Sequence, residues 1–465
     1  MDSVIVQIDR SVATPVRTQI ANAYAQAIRE GRLGAGETLP SVRGLSGRLG
    51  VAPVTVAAAY RELCELRMVV AMPRSGFRVA GTASPPLERK VFQLNRIEPD
   101  LRIHPVAACT RLIADLAAAD PGIGGYADYR GEMALREAIA GLDRELGIVT
   151  DPARGVLMTS GAQQALSLLG RMLPSGACVA VEDPCYPGVR LAFSERGSKL
   201  LPVRVDEEGP VEQDVQAIAE PGRVAAFYCC PNYANPTGRS WSEAARRRVV
   251  EAAARGGCLL IEDDYLGDLD PAQEALPRLA RLAVEYLGAR VVRIHTFSKT
   301  LLPALRLASV TADPETIDRL LALKVADDLG CSAFLQRALA HFINTGDYQR
   351  HLDRVRPRYC EVREALRRAM GEVGPYIAFS PSPSGFCMLG RLDRTVDTGR
   401  FLAECARSGV MLTSGTDYWV DAAQGGDCFR MGFGALSPDE VLVVLRRLGE
   451  AAAAVRNASE KWSLL

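Results

Sequence analysis

Hydrophobic residues recur at helical spacing over residues 14–30, where Val16, Ile20, Tyr24, Ala27 and Ile28 share one face. Glycines at 31, 34 and 36 then break the pattern. A short helix is expected over 41–49 after Pro40, with Gly50 as its stop, and a third helix over 53–66. Two apolar runs follow, 68–72 and 77–80, joined by Pro73-Arg74-Ser75-Gly76. A helix, a helix-turn-helix and a hairpin in that order predict a winged helix. Residues 81–99, with Pro85-Pro86 and the charged Glu88-Arg89-Lys90, read as a linker.

Beyond the linker, short apolar runs alternate with helical stretches to about residue 310. Strands are expected over 155–158, 178–181, 225–229, 258–261 and 291–294, and helices over 162–172 and 242–254. That alternation predicts a mostly parallel sheet with helices on both faces. Residues from about 345 to 465 hold helical patterns around 347–370 and 438–454 and a strand near 385–390, a smaller α+β lobe. The expected fold class is α/β: a winged helix-turn-helix over 1–80, the linker, and a two-lobed domain over 100–465.

Composition adds a constraint. The 465 residues, 48% of them hydrophobic, suffice for two or three domains with cores of their own. Overall charge balances at 55 basic against 55 acidic residues, but residues 11–80 hold nine arginines and four glutamates, a local balance of +5. A basic N-terminal segment fits nucleic acid. The 12 cysteines include no C-x-x-C pair, so no metal site is expected. The start MDSVIVQIDR does not read as a signal peptide, and no apolar run is long enough to span a membrane. Free thiols without either feature point to the cytoplasm.

The sharpest chemical signal is Thr296-Phe297-Ser298-Lys299-Thr300-Leu301-Leu302-Pro303-Ala304-Leu305-Arg306, just after a predicted strand. An amine flanked by hydroxyls and an arginine suits pyridoxal 5'-phosphate (PLP). Lys299 can form a Schiff base with the aldehyde, while Thr296, Ser298 and Arg306 hold the phosphate. Other motifs fall at strand ends. Ser160-Gly161-Ala162-Gln163 opens a helix, where backbone N–H groups bind phosphate. Tyr186 can lie on a pyridine ring. Asn235, in Asn232-Tyr233-Ala234-Asn235-Pro236-Thr237-Gly238, and Tyr265 can bond a phenolic oxygen. Asp263, in Glu262-Asp263-Asp264-Tyr265, can pair with a protonated ring nitrogen. Arg430, within an apolar strand pattern, needs an anion, most simply a ligand carboxylate. Each of these alone also fits an ordinary turn, packed aromatic or salt bridge. Gly188, two residues after Tyr186, offers no side chain to a second anionic group, and His295 reads as a strand-end residue packed under the sheet.

Taken in order, SGAQQAL, EDPCYPG, NYANPTG, IEDDY, HTFSKTLLPALR and FRMGF make residues 100–465 resemble the fold-type I PLP-dependent aminotransferases. The resemblance implies Lys299 as the Schiff-base lysine, Asp263 at the ring nitrogen, Asn235 and Tyr265 at the phenolic oxygen, and Tyr186 on the ring. It assigns Ala162, Gln163, Thr296, Ser298 and Arg306 to the phosphate and Arg430 to the α-carboxylate. It also implies that Tyr126 reaches the phosphate of a neighbouring subunit, hence a homodimer.

Residues 11–80 resemble the GntR winged-helix domain through PVRTQIANAYAQAI, GRLGAGETLPSVRGLSGRLGV, TVAAAYREL and PRSGFRVA. The two resemblances together are the MocR architecture. They imply a regulator that binds operator DNA at paired half-sites and senses an amine or amino acid by aldimine exchange at Lys299. A working aminotransferase with an accessory winged domain is the alternative. In the DNA-binding part, Arg43 and Arg48 are expected on phosphates, Thr55 in the first turn of the recognition helix, and Arg74 at the wing tip in the minor groove. Ala52-Pro53 departs from the Ser-Arg usual in the family at this place, which removes a contact.

Overall fold

The structure, a computed structural model, describes residues 6, 8, 14–29, 32–34, 36–65, 68–72, 76–79, 90–269, 276–380 and 385–463. The chain divides into two compact units, Met1–Val91 and Phe92–Leu465.

The first unit holds helices α1 (Val16–Arg29), α2 (Val42–Leu49) and α3 (Pro53–Glu65), then a hairpin of β1 (Val69–Met72) and β2 (Gly76–Val79). Ser41 caps α2 by accepting from Gly44 N at 3.0 Å, and Gly50 ends it at φ 61, a left-handed conformation that glycine adopts without strain. Ile20, Tyr24, Leu45, Val56, Ala59, Tyr60 and Leu63 close the core. Tyr60 ties α3 to the turn before α2 by donating to Pro40 O at 3.0 Å. Backbone bonds from Leu39 N to Phe77 O (2.8 Å) and Val79 N to Glu37 O (2.7 Å) join the segment before α2 to the hairpin.

The second unit begins at Phe92, inside the segment read as linker. There β3 (Phe92–Gln93) runs parallel to the later strand Val410–Met411, so residues 92–99 are part of the fold. The large sheet has seven strands: β4 (Val156–Thr159), β5 (Cys178–Asp183), β6 (Lys199–Arg204), β7 (Ala226–Cys229), β8 (Leu259–Asp264), β9 (Arg290–Thr296) and β10 (Ala308–Thr311). Their spatial order is β4-β10-β9-β8-β7-β5-β6, with β10 antiparallel to both neighbours and the remaining pairs parallel. The five expected strands are present. β6 and β10 are additional. β6 is an edge strand carrying Pro202, and only Val203 in it is fully buried, so its apolar signal is weak. β10 is four residues long and carries buried Ser309.

The smaller sheet takes β11 (Ile377–Phe379), β12 (Cys387–Leu392), β14 (Thr413–Ser414) and β15 (Cys428–Gly432) in the antiparallel order β11-β12-β15-β14, while β13 (Val410–Met411) pairs with β3. Helices Asp347–Ala369 and Pro438–Ser463 pack with it around Phe401, Phe429, Leu445 and Leu448. The carboxyl ends of β4, β5, β7, β8 and β9 lie along one edge of the large sheet, where open parallel sheets place ligands. Among the described residues no helix is long and apolar enough to cross a membrane.

Candidate cofactor site and nucleic-acid interface

A cavity of about 310 Å³ opens at those strand ends in the second unit. Ala162, Gln163, Tyr186, Asn235, Asp263, Tyr265, Thr296, Ser298, Lys299, Arg306 and Arg430 all line it, joined by Ile97, Tyr228, Cys230 and Tyr418, which sequence reasoning missed.

Asp263, the penultimate residue of β8, lines the cavity. Its Oδ2 accepts from the Tyr228 hydroxyl at 2.7 Å, and its buried Oδ1 has no partner. Burial pushes its pKa up to about 6, against the lowering effect of the Tyr228 bond. Asp264 points to the opposite face, as strand alternation requires. There its Oδ2 accepts from Arg278 Nε at 2.8 Å and from Arg293 Nη2 at 2.8 Å, and its Oδ1 from Asn232 at 3.0 Å. His295 lies on that far face too, 2.6 Å from Asp268 Oδ2.

Lys299 follows β9. Its Nζ donates to the carbonyl of Ile97. Burial, helped by Arg306 and Arg430 and opposed by Glu98, holds its pKa below the usual lysine value, which favours the nucleophilic amine.

At the other end, helix Ala162–Met172 starts after Gly161, whose φ is 92. A Cβ there would come 2.6 Å from Arg306 Nη2, so glycine is required both by conformation and by space. Arg306 donates to Ser160 O at 3.2 Å, and the Thr296 hydroxyl donates to Ser298 Oγ at 3.2 Å. The Gln163 side chain is already engaged, donating to Gly188 O (3.0 Å) and accepting from Tyr186 (3.1 Å), so its backbone N–H is what it can offer an anion. Gly188 leaves room for this arrangement: a Cβ would meet the Tyr186 ring at 2.3 Å.

Asn235 lines the cavity with its Oδ1 buried and unpaired. Tyr265 differs from expectation. Its hydroxyl proton goes to Tyr233 O at 2.7 Å, so in this geometry it is not free to donate to a phenolic oxygen.

Arg430 sits on β15 at 6% exposure. Its Nε donates to the Tyr418 hydroxyl (2.9 Å) and its Nη2 to Asn95 O (2.8 Å) and Thr413 Oγ1 (3.3 Å). These acceptors are neutral, and among the described residues no carboxylate pairs with it. A buried cation so placed can take an anion. Tyr126 is 91% exposed and does not line the cavity of its own chain.

PLP fits this set: an amine on one wall, an unpaired buried carboxylate oxygen for the ring nitrogen, an Asn235 amide whose Oδ1 is unpaired and whose Nδ2 is the group that would donate to a phenolic oxygen, and a helix start with hydroxyls and an arginine for the phosphate.

In the first unit, Arg43 and Arg48 are exposed on α2. Thr55 is half-buried at the margin of α3, whereas Val54 projects with 68% of its surface exposed. Arg74 lies outside the described residues.

A family model for aminotransferase class I and II matches residues 90–448, and one for bacterial regulatory proteins of the gntR family matches residues 17–79. The chain is 30% identical over 345 residues to the uncharacterized HTH-type transcriptional regulator YcxD of Bacillus subtilis, covering 72% of this chain and 76% of that one. It is 27% identical over 475 residues to the HTH-type transcriptional regulator TauR of Rhodobacter capsulatus, covering 93% and 96%. A crystal structure of the alpha-aminoadipate aminotransferase LysN from Thermus thermophilus, complexed with N-(5'-phosphopyridoxyl)-L-leucine, superposes with a TM-score of 0.72 at 26% identity over 79% of this chain and 93% of that one. Cavity chemistry and family agree on PLP as the cofactor. The chain belongs to the aminotransferase class I and II family and, with a GntR DNA-binding domain ahead of it, has the composition of a MocR-type transcriptional regulator.

Proposed function

We propose that the regulator's grip on operator DNA answers to an amine or amino acid captured at Lys299. The observation that carries this reading is that Lys299 and Arg430 both rest on carbonyls of one short segment, Ile97 for the lysine and Asn95 for the arginine. Lys299 would leave the Ile97 carbonyl when bonded to PLP and return to it when an amine displaces it, and a carboxylate at Arg430 would compete with the Asn95 carbonyl. Occupancy would therefore bear on residues 95–97, a few residues after the start of the second unit at Phe92.

Bound in the cavity, PLP supplies an aldehyde for primary amines and a ring that withdraws electrons. Asp263 keeps the ring nitrogen protonated through its unpaired Oδ1, with Tyr228 fixing the carboxylate's orientation. Asn235 donates to the phenolic oxygen, and Tyr186 covers the ring. Backbone N–H groups of Ala162 and Gln163, with Thr296, Ser298 and Arg306, hold the phosphate. Arg430 takes the ligand's carboxylate. Tyr265 acts as wall rather than donor. The exposed Tyr126 is suited to reach a partner subunit's phosphate, which makes the working form a homodimer with two winged units on paired half-sites. A cytoplasmic location follows from operator binding.

A transaminase reading has one observation in its favour: the residues for a first half-reaction line one cavity. An electrophoretic shift on the upstream intergenic DNA, run beside a keto-acid assay, separates the two. Regulation predicts a ligand-dependent shift with at most a single turnover. Multiple turnover with a ligand-independent shift would favour the enzyme.

A further inference from the structure

Helix α3 turns Val56, Ala59, Tyr60 and Leu63 into the core, all at 0% exposure. The opposite face presents Val54, Ala57, Ala58 and Arg61, and Pro53 is exposed beside it. In the first two turns the one hydrogen-bonding side chain is that of Thr55, half-buried as Ala57 and Ala58 are, while Val54 is exposed. Pro53 has no N–H, and Ala52 has no polar side chain, its carbonyl accepting from Thr55 N at 2.9 Å. Around Val54, N-terminal to Arg61, this surface puts no side-chain donor or acceptor against a purine edge. Seated there it would strip water from N7, O6 or N6 and replace nothing. The one apolar group in the major groove is the thymine 5-methyl. Exposed Arg43 and Arg48 on the preceding helix, and the +5 balance of residues 11–80, supply the attraction to the phosphates on either side.

We propose that this face reads thymine methyl groups through Val54, with Pro53, Ala57 and Ala58 packed alongside, so that operators are distinguished by thymines in each half-site. The proposal rests on the DNA-binding reading and specifies its chemistry. It also moves the discriminating role from Thr55 to Val54.

The test uses the full chain and duplexes selected by it from a random pool. Affinities are measured by fluorescence anisotropy with thymine replaced by deoxyuridine one position at a time, which removes only the methyl, and random duplex serves as the reference. At contacted positions the replacement weakens wild-type binding about fourfold, the worth of one buried methyl-sized group. In Val54→Ala, an exposed helix-compatible change, the same replacements cost less than twofold, as a thermodynamic cycle requires. Selected duplexes that bind well above random yet tolerate deoxyuridine everywhere would overturn the methyl reading and leave DNA binding standing. A deoxyuridine effect of equal size in Val54→Ala would overturn the assignment to Val54. No selected duplex bound above random at any salt would overturn the DNA-binding reading itself.

Discussion

Tyr228 donates to Asp263 Oδ2 across 2.7 Å, and this contact decides which carboxylate oxygen faces the cavity. Oδ1 stays buried and unpaired, a costly state for an ionised group in protein without a cofactor. Because the folded-state pKa is raised from 3.8 to about 6, the folded protein holds this proton more tightly than the unfolded chain. Stability contributed by the protonated form is complete below about pH 4 and is lost as pH rises through about 6. Cofactor-free Asp263→Asn is therefore expected to gain stability over wild type at pH 8, on the order of 3 kcal/mol, with the gap closing toward pH 4. Its affinity for PLP should fall. Urea titrations at the two pH values check the first expectation, and spectral titration the second. Wild type as stable as the variant at pH 8 contradicts the orphaned carboxylate.

Asp264 gives the opposite result. It is buried between Arg278 and Arg293, so Asp264→Asn takes a carboxylate from two buried cations, of which Arg293 keeps Asp143. A loss of about 3–5 kcal/mol in chemical denaturation is expected. Whatever folded fraction remains should still bind PLP. Equal effects of both substitutions on PLP affinity would contradict the assignment of the two faces.

On the proposed reading Lys299 is the residue that would bond the PLP aldehyde. Borohydride treatment of the PLP-loaded wild type should leave one fixed cofactor per chain and bleach the visible band. Lys299→Ala should retain PLP through the phosphate site yet release it on denaturation after the same treatment. A full-yield adduct in the variant would place the linkage elsewhere.

Arg430→Ala removes a buried cation held only by neutral acceptors. The apparent dissociation constant for an amino acid should rise by one to two orders of magnitude, from about 1.5–3 kcal/mol for a charged hydrogen bond. PLP affinity should change little. A spectral titration with amino acids that matches wild type would remove Arg430 from the ligand site.

Much of this site is legible in the chain because its side chains sit in motifs at strand ends. Lys299, Asp263, Asn235 and Arg430 line one cavity, and the two-residue period of a strand separates Asp263 from Asp264. Tyr228 escapes such a reading. It lies in the apolar run Ala225–Cys229 and looks like core. Only the pairing of β7 with β8, Tyr228 opposite Ile261, brings its hydroxyl to Asp263. Asn95 and Ile97 act through carbonyls, which every residue owns, so no side-chain pattern marks them. Tyr265 is in its motif, but its proton is taken by Tyr233 O, a partner set by the local turn. In the first unit the helix-turn-helix was visible from glycine and proline punctuation. That Val54 projects where Thr55 does not follows from the rotation of α3 against its core.

DNA affinity should depend steeply on salt. With about six phosphates neutralised by a dimer, log K is expected to fall with log salt at a slope of about −5. Arg43→Ala should weaken binding to all duplexes alike and flatten that slope by about two, one phosphate contact being lost from each protomer of the dimer. A slope near zero for wild type would contradict the phosphate contacts.

The most direct measurement is operator affinity of the PLP-loaded full chain, by anisotropy at fixed salt, across a panel of amines and amino acids, for wild type and Lys299→Ala. The account predicts that at least one ligand changes wild-type affinity roughly fivefold or more, in the range of ordinary allosteric coupling, and that Lys299→Ala does not respond. Operator affinity that stays the same with every ligand, in a protein whose cofactor band those ligands visibly shift, would contradict it.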